Sequence, residues 1–537
     1  MALTRLRTRR AGLQVLALLT IGAITACAGL PKNYPRQESY TLADYSRTRI
    51  ALATKPLTER HPRKSGIIPL DHGMDALAAR LALADAAQQT LDVQYYIWHR
   101  DTTGVMVLDR LVAAADRGVR VRLLLDDAGN TPRDGNLLAI DAHPNIEVRI
   151  FNPATSRTLK FLNYFFEFER LNRRMHNKSY TADGSATIIG GRNIGDEYFD
   201  ANEELAFADL DVLAVGPVVQ EVLYSFDQFW NDRASIPIHV LARNNSQQVE
   251  PAAIRDLLAT AANHNDDAAY RQQVSRSPLA NVFRDGYAGD YLWGQARLFY
   301  DAPGKIDNTR TDARELMPQL ELQMGAVKKE LVIVSSYFIP KKSGVAFLRR
   351  LAQRGVRVRV ITNSVTSTDV FFVHSSYARY RRELLKAGVE LYEIKSDAKV
   401  WSKRDTARRR KKETALSAPS RASLHTKAFI FDRELTFIGS LNLDPRSIVH
   451  NTEIGMLVKN PDLARGAVRR LFDMLPENAY RLELVRVDPD SDEPGERLEW
   501  VTSENGVERR FTSEPHTNLL HRVVMWFTSL PPIENQM

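Results

Sequence analysis

The hexapeptide RGVRVR occurs at 117–122 and again at 354–359, and its neighbours recur in the same order. TLDVQYYIW (90–98) and ELVIVSSYFIP (330–340) precede it as β-branched, aromatic runs that read as buried strands. Helical stretches lie between, VMVLDRLVAAADRGV (105–119) and VAFLRRLAQRGV (345–356), each behind a glycine, Gly104 or Gly344. NIEVRIFNP (145–153) and GVELYEIKS (388–396) follow as further strands. Strands alternating with helices predict parallel α/β units, here present twice.

The last repeated block carries polar residues at fixed spacing. It reads MHNKSYTADGSATIIGGRNIGDEYFDANEE at 175–204, and its counterpart begins SLHTKAFIFDRELTFIGSLNLD at 423. His176, Lys178 and Asp183 match His425, Lys427 and Asp432. Asn193 and Asn442 each stand 17 residues after their histidine, and Glu204 and Glu453 each stand 28 after. Asn202 and Asn451 recur as well. A histidine and a lysine two apart on a strand share a face, where their charges repel unless both meet an anion or edge a sheet.

Two His-x-Lys-x4-Asp motifs, followed by Gly-Gly-Arg-Asn and Gly-Ser-Leu-Asn, resemble the phospholipase D superfamily over most of residues 76–475. GSLNLDPRSIVHNTEIG (439–455) and DVFFVHSSYARYRRELLKAGVELYEI (369–394) are similar to bacterial cardiolipin synthases, the C-type branch in particular. The resemblance implies an α/β fold of two homologous phospholipase D-type domains, each a mixed sheet flanked by helices, forming one pseudo-twofold active site. It implies phosphatidyl transfer through a covalent phosphohistidine, with cardiolipin as product when phosphatidylglycerol accepts and phosphatidylethanolamine as a further possible substrate. It also implies His176 as nucleophile and His425 as general acid and then base. Symmetry in the sequence leaves the reverse assignment open.

The chemistry suits these residue types. Fixed cations at Lys178 and Lys427 neutralise phosphoryl oxygens, and the amides of Asn193 and Asn442 donate to them. An imidazole can attack phosphorus while a second delivers a proton to the leaving alkoxide. Glu204 and Glu453 are expected to accept a hydrogen bond from one histidine each. Asp183 and Asp432 complete the catalytic motif, with a mostly structural role expected. Gly191 stands where the family carries serine, which puts one hydroxyl contact in question. His374 is either a headgroup contact or a structural histidine. No Cys/His cluster or HExxH spacing is present, so neither a metal nor another cofactor is expected.

Charge and termini bear on location. The formal net charge is +8, and Arg5, Arg7, Arg9 and Arg10 supply half of it ahead of the apolar run 13–26. Net charge therefore does not argue for a nucleic-acid partner. Residues 1–26 read as a signal peptide ending ITAC, and Cys27, the single cysteine, sits where bacterial lipoproteins are acylated. The expected division is a linker over 27–75, domains over 76–235 and 301–475 with a connector at 236–300, and a tail at 476–537. KRDTARRRKK (403–412) reads as a solvated loop that could also draw acidic headgroups or a nucleic acid. TNLLHRVVMWFTSLPPIENQM (517–537) suits either a membrane interface or a packed helix. The expected protein is thus an exported, membrane-anchored lipoprotein, periplasmic or on an outer membrane face. A hydrolytic phospholipase D, a secreted nuclease and a non-catalytic lipid scaffold are the rival readings.

Overall fold

Both RGVRVR runs close a helix and open a strand in the structure, a computed structural model that describes residues 30–31, 33–130, 134–157, 163, 167–202, 205–242, 254–255, 258, 268–284, 289–307, 315–398, 421–487 and 495–517. The signal segment with Cys27, Glu204, the loop 403–412 and residues 518–537 lie outside these. In the first run Gly118 takes a φ of 93°, and in the second Gly355 takes 84°, conformations that end the helices as a residue with a side chain rarely can.

The first half contributes β1 (Ser65–Leu70), β2 (Thr90–Trp98), β3 (Arg120–Asn130), β4 (Ile146–Phe151), β5 (Ser179–Ala182), β6 (Ala186–Gly190), β7 (Leu205–Ala208), β8 (Asp211–Val215) and β9 (Ser235–Pro237). The second contributes β10 (Leu292–Tyr300), β11 (Glu330–Ser335), β12 (Arg357–Asn363), β13 (Glu390–Ile394), β14 (Arg421–Leu424), β15 (Lys427–Phe431), β16 (Leu435–Gly439), β17 (Ile454–Lys459), β18 (Ala479–Val487), β19 (Gly495–Glu504) and β20 (Val507–Phe511). In the first half β2, β3 and β4 run parallel and β5, β6, β8 and β1 continue antiparallel. In the second, β11, β12 and β13 run parallel and β15, β16, β17 and β10 follow antiparallel. The parallel strands are connected through helices such as Thr102–Asp116 and Lys341–Gln353, as parallel crossovers require. The duplication seen in the sequence is therefore a duplicated mixed sheet.

Strands pair across the two halves. β1 pairs antiparallel with β10, from Ser65↔Gly294 to Ile67↔Leu292, so the two sheets are continuous. β7 pairs parallel with β14 in a separate two-stranded sheet. Ile67, Ile189, Val212, Val332, Ile430, Ile438 and Met456 are buried in one apolar cluster drawn from both halves. Several elements fall outside the expected domain limits. β1 lies in the stretch read as a linker, β10 in the connector, and β18–β20 in the tail, where they extend the second sheet beyond β13. These strands lie outside the repeated blocks and so carry no repeat signal, and their pairing is settled by tertiary contact.

Buried polar groups brace the first sheet. Arg80 donates to Tyr95 Oη at 2.9 Å and to Asp211 Oδ2 at 2.8 Å, with arginine and acid both buried. Asp211→Ala leaves that guanidinium in the core without its counter-ion. Such a change is expected to cost about 3–5 kcal/mol in urea unfolding; a loss below about 1 kcal/mol would show that the pair is not needed.

Candidate active site

Each histidine is delivered by a strand of its own half and held by an acid of the other. Met175 bridges to Thr452, the His176 N–H donates to Thr452 O at 2.9 Å, and His176 Nδ1 lies 2.8 Å from Glu453 Oε2. His425 follows β14, its N–H donates to Ala208 O at 2.8 Å, and its Nδ1 lies 2.5 Å from Asp209 Oδ2. With Nδ1 engaged, Nε2 of each ring is the nitrogen left for chemistry. Tyr96 stands edge-on to His176 at 5.0 Å, and Tyr198 and Phe207 flank His425 at 5.2 and 5.0 Å. His176 is 9% exposed and His425 6%, so both rings are largely withdrawn from water.

The acid on His425 is Asp209, whereas equal spacing in the two copies selects Glu204 as the counterpart of Glu453. The strand register explains the difference. Gly190 pairs with Asp211 across β6 and β8, and Gly439 pairs with Gly455 across β16 and β17. Two residues before those partners stand Asp209 and Glu453. β7 inserts into the first half ahead of Asp209, so the equal count of 28 to Glu204 does not mark the equivalent position. Gly191 belongs to the same exchange. In the second half Ser440 Oγ hydrogen bonds Glu453 Oε2 and accepts from Ile454 N at 3.0 Å. In the first, a Cβ at Gly191 would fall 2.2 Å from Asp209 Oδ1. The shorter acid occupies the space of the missing serine, and the aspartate two residues before a buried strand was the available clue.

Lys178 and Lys427 are buried, and each ammonium donates to the carbonyl of its own histidine, Lys178 at 2.7 Å. Lys427 also reaches Ser336 Oγ at 3.4 Å. Asn193 Nδ2 donates to Tyr198 Oη at 2.9 Å and its Oδ1 accepts from Ile97 N at 3.2 Å, leaving one amide hydrogen uncommitted. Asn442 is buried, and its Oδ1 has no hydrogen-bond partner. Behind Glu453, the Asp301 carboxylate accepts from Glu453 N at 3.0 Å and from Lys305 Nζ at 2.9 Å. Lys305 Nζ also donates to Ser447 O at 3.2 Å. Neither Asp301 nor Lys305 lies in a repeated motif, so the sequence carried no signal for them.

Electrostatics separate the two histidines. Burial, then Lys178, Lys427 and His425, hold the His176 imidazole well below its usual range and so uncharged. Burial also pushes Glu453 up to about 7, Lys178 down to about 7 and Lys427 down to about 8. Burial opposes ionisation of Asp209 too, but His425 and Lys427 outweigh it and keep that carboxyl below the ordinary range. His425 is lowered by burial and Lys427, against the opposing pull of Asp209.

Asp183 and Asp432 sit at the far ends of β5 and β15, away from the imidazoles. Asp183, at φ 48°, accepts from the N–H groups of Gln88, Gln89 and Thr90. Asp432, at φ 51°, accepts from those of Lys328, Lys329 and Glu330. These carboxylates tie turns together and touch neither imidazole, so Asp183 and Asp432 belong to the catalytic motif by sequence but are placed for a structural role. Asp183→Ala is expected to cost about 1–3 kcal/mol of stability by leaving buried donors unpaired. Turnover per folded molecule should stay within about twofold, and its collapse would return Asp183 to the chemistry. His374 is structural as well. Its Nδ1 faces Asn363 O at 3.2 Å, and Arg381 Nη2 lies 2.8 Å from its Nε2.

Two fused units that each lend an imidazole and an ammonium to one buried site define a phosphodiester-processing class. The chain belongs to the family described as cardiolipin synthase, PLD-like domain, which matches residues 81–230 and 321–475. It is 40% identical over 490 residues to Cardiolipin synthase C of Escherichia coli (strain K12), covering 90% of this chain and 99% of that protein. It is 26% identical over 428 residues to Cardiolipin synthase A of Pseudomonas entomophila (strain L48), covering 79% and 71%. The crystal structure of phosphatidylserine synthase from Haemophilus influenzae Rd KW20 shares the fold, with a TM-score of 0.50 at 15% identity over 78% of this chain and 87% of that one.

Proposed function

We propose that this chain is a membrane-associated phosphatidyltransferase that makes cardiolipin. His176 Nε2 attacks the phosphorus of one phospholipid, and the P–O bond to the leaving alcohol breaks as His425 gives that oxygen its proton. His425 then takes the proton from a headgroup hydroxyl of phosphatidylglycerol, whose oxygen attacks phosphorus and releases His176. The crossed pairs carry the reading: His176 on Glu453 and His425 on Asp209 put two imidazoles in one cleft with different partners. An ionised Asp209 raises the proton affinity of His425 against burial and Lys427, which lower it overall, and so helps that ring hold and return the transferred proton. Glu453, close to neutrality, leaves His176 the uncharged nucleophile. Lys178 and Lys427 meet the two non-bridging oxygens, and Tyr96, Tyr198 and Phe207 limit water.

One assay tests this. Purified full-length protein is given phosphatidylglycerol vesicles, with and without phosphatidylethanolamine, and products are read by mass spectrometry. Cardiolipin is expected. Phosphatidic acid as the main product would replace transfer with hydrolysis, and no lipid product would overturn the proposal.

The lysines set the pH response. They bind phosphate only when charged, and charge is lost as pH rises through about 7 for Lys178 and about 8 for Lys427. kcat/KM, which reports free enzyme, is therefore expected to fall over that interval. A bound anion favours the charged lysines, so the alkaline limb of kcat should lie higher. Coincident limbs would argue against the lysine assignment.

Export and acylation at Cys27 complete the proposal. Among the described residues no helix is long and apolar enough to cross a membrane. Labelled palmitate is expected in the native chain and absent from Cys27→Ser; equal labelling would remove the lipoprotein anchor.

A further inference from the structure

The two halves treat one groove differently. In the first half, Arg122 of the repeated RGVRVR lies 4.8 Å over the ring of Phe226 and 2.8 Å from Asp227. An extended stretch of the N-terminal segment fills the space above them. Arg122 donates to Ser39 O at 2.7 Å, Arg120 to Tyr40 O at 2.9 Å, and Arg149 to Gln37 O at 2.6 Å. Thr41 N donates to Asp227 at 2.9 Å, and Ser39 N to Asn231 at 3.1 Å. That segment is held through its backbone, as an added strand is.

The second half repeats Arg359, Phe472 and Asp473 of that seat, without such an occupant among the described residues. Arg359 holds the position of Arg122, and Phe472-Asp473 in helix Pro461–Asn478 repeats the Phe226-Asp227 pair of helix Val218–Trp230. Arg359 lies 3.5 Å over the Phe472 ring. Above them opens a groove of about 510 Å³ lined by Arg359, Arg433, Arg465, Arg469, Phe472 and Asp473. A hollow of about 380 Å³ beside Phe472, Pro476 and Arg481 continues it. Arg359 is 3% exposed, and its Nε has no hydrogen-bond partner. Burial and neighbouring Arg357 also make its charge costly. Glu330 serves both Arg359 and Arg433, and Asp462 serves Arg465. Among the described residues Arg469 and Asp473 have no ion-pair partner.

We propose that this groove docks an extended, acidic peptide segment of another polypeptide, in the manner in which residues 37–45 fill the first half. The shape is that of the site already filled by a peptide backbone. Arginines line both seats: Arg120, Arg122 and Arg149 take backbone carbonyls in the first, and in the second four arginines against Asp462 and Asp473 leave a net positive lining that favours carboxylates on the occupant. Glu330 opens β11 five residues before Ser335, the partner of Lys427, so it lies about 17 Å along the strand from the catalytic end, and Arg433 follows the far end of β15. A partner there sits away from the imidazoles.

The probe is the end-capped, labelled peptide Gln37–Tyr45, which carries Glu38 and Asp44 and no base. Fluorescence anisotropy with the full chain is expected to show saturable binding. Arg465→Glu/Arg469→Glu should weaken it about tenfold or more, and a peptide with lysine at both acidic positions should bind weaker by a similar factor. Phosphatidylglycerol vesicles form a second arm. No saturable peptide binding, or equal binding to the double variant, would overturn the proposal. So would vesicle binding that the double variant abolishes while the peptide does not bind, since the groove would then serve a lipid surface.

Discussion

His176→Gln is expected to reduce cardiolipin formation on the order of 10⁴-fold or more, because in the proposed scheme the covalent intermediate forms on its Nε2. His425→Gln should cost about 10²–10⁴-fold, the usual worth of a positioned acid. The two losses differ in kind. A phosphatidyl ester with a good leaving group, such as a nitrophenol, needs little proton donation. It should restore much of the first step in the His425 variant and none in the His176 variant, as read by a single-turnover burst. Restoration in the His176 variant instead would exchange the roles. Activity near that of the native enzyme in either variant would end the two-histidine scheme.

The second large effect falls on Asp209. Asp209→Asn keeps the side chain's size but withdraws the negative partner of His425 Nδ1 at 2.5 Å. A positive imidazole then loses its counter-charge in a buried cleft, and the rate is expected to fall about 10²–10⁴-fold. Glu204→Gln should change the rate by no more than about twofold. A large loss in the Glu204 variant with none in the Asp209 variant would reinstate the acid that spacing selects.

The contrast between Asp209 and Glu204 shows what a sequence of this kind conveys. Residues that recur at one spacing in both copies were legible: His176, Lys178, Asn193 and their partners arrive in the cleft from matching strands. Where one copy gained β7, counting failed, because hydrogen-bond register and not residue number fixes which acid meets His425. Asp301 and Lys305 were invisible for a different reason. They act by tertiary contact behind Glu453 and belong to no repeated pattern. Asp183 and Asp432 were legible as recurring residues, yet recurrence does not tell a turn from a catalytic group. The edge strands β1 and β10 were missed because they pair with each other only once the halves have met.

The crossing of acids between halves has a consequence for the history of such a chain. After a gene doubles and fuses, its copies ordinarily drift apart as independent tenants of one polypeptide. Here each copy keeps the tuning element of the other's reactive ring, since Glu453 serves His176 and Asp209 serves His425. An insertion or a shortened side chain in one copy is felt first as altered chemistry in its twin. The pairing of Gly191 with a short Asp209, beside Ser440 with a long Glu453, is one such compensated difference. The two copies can diverge only in step.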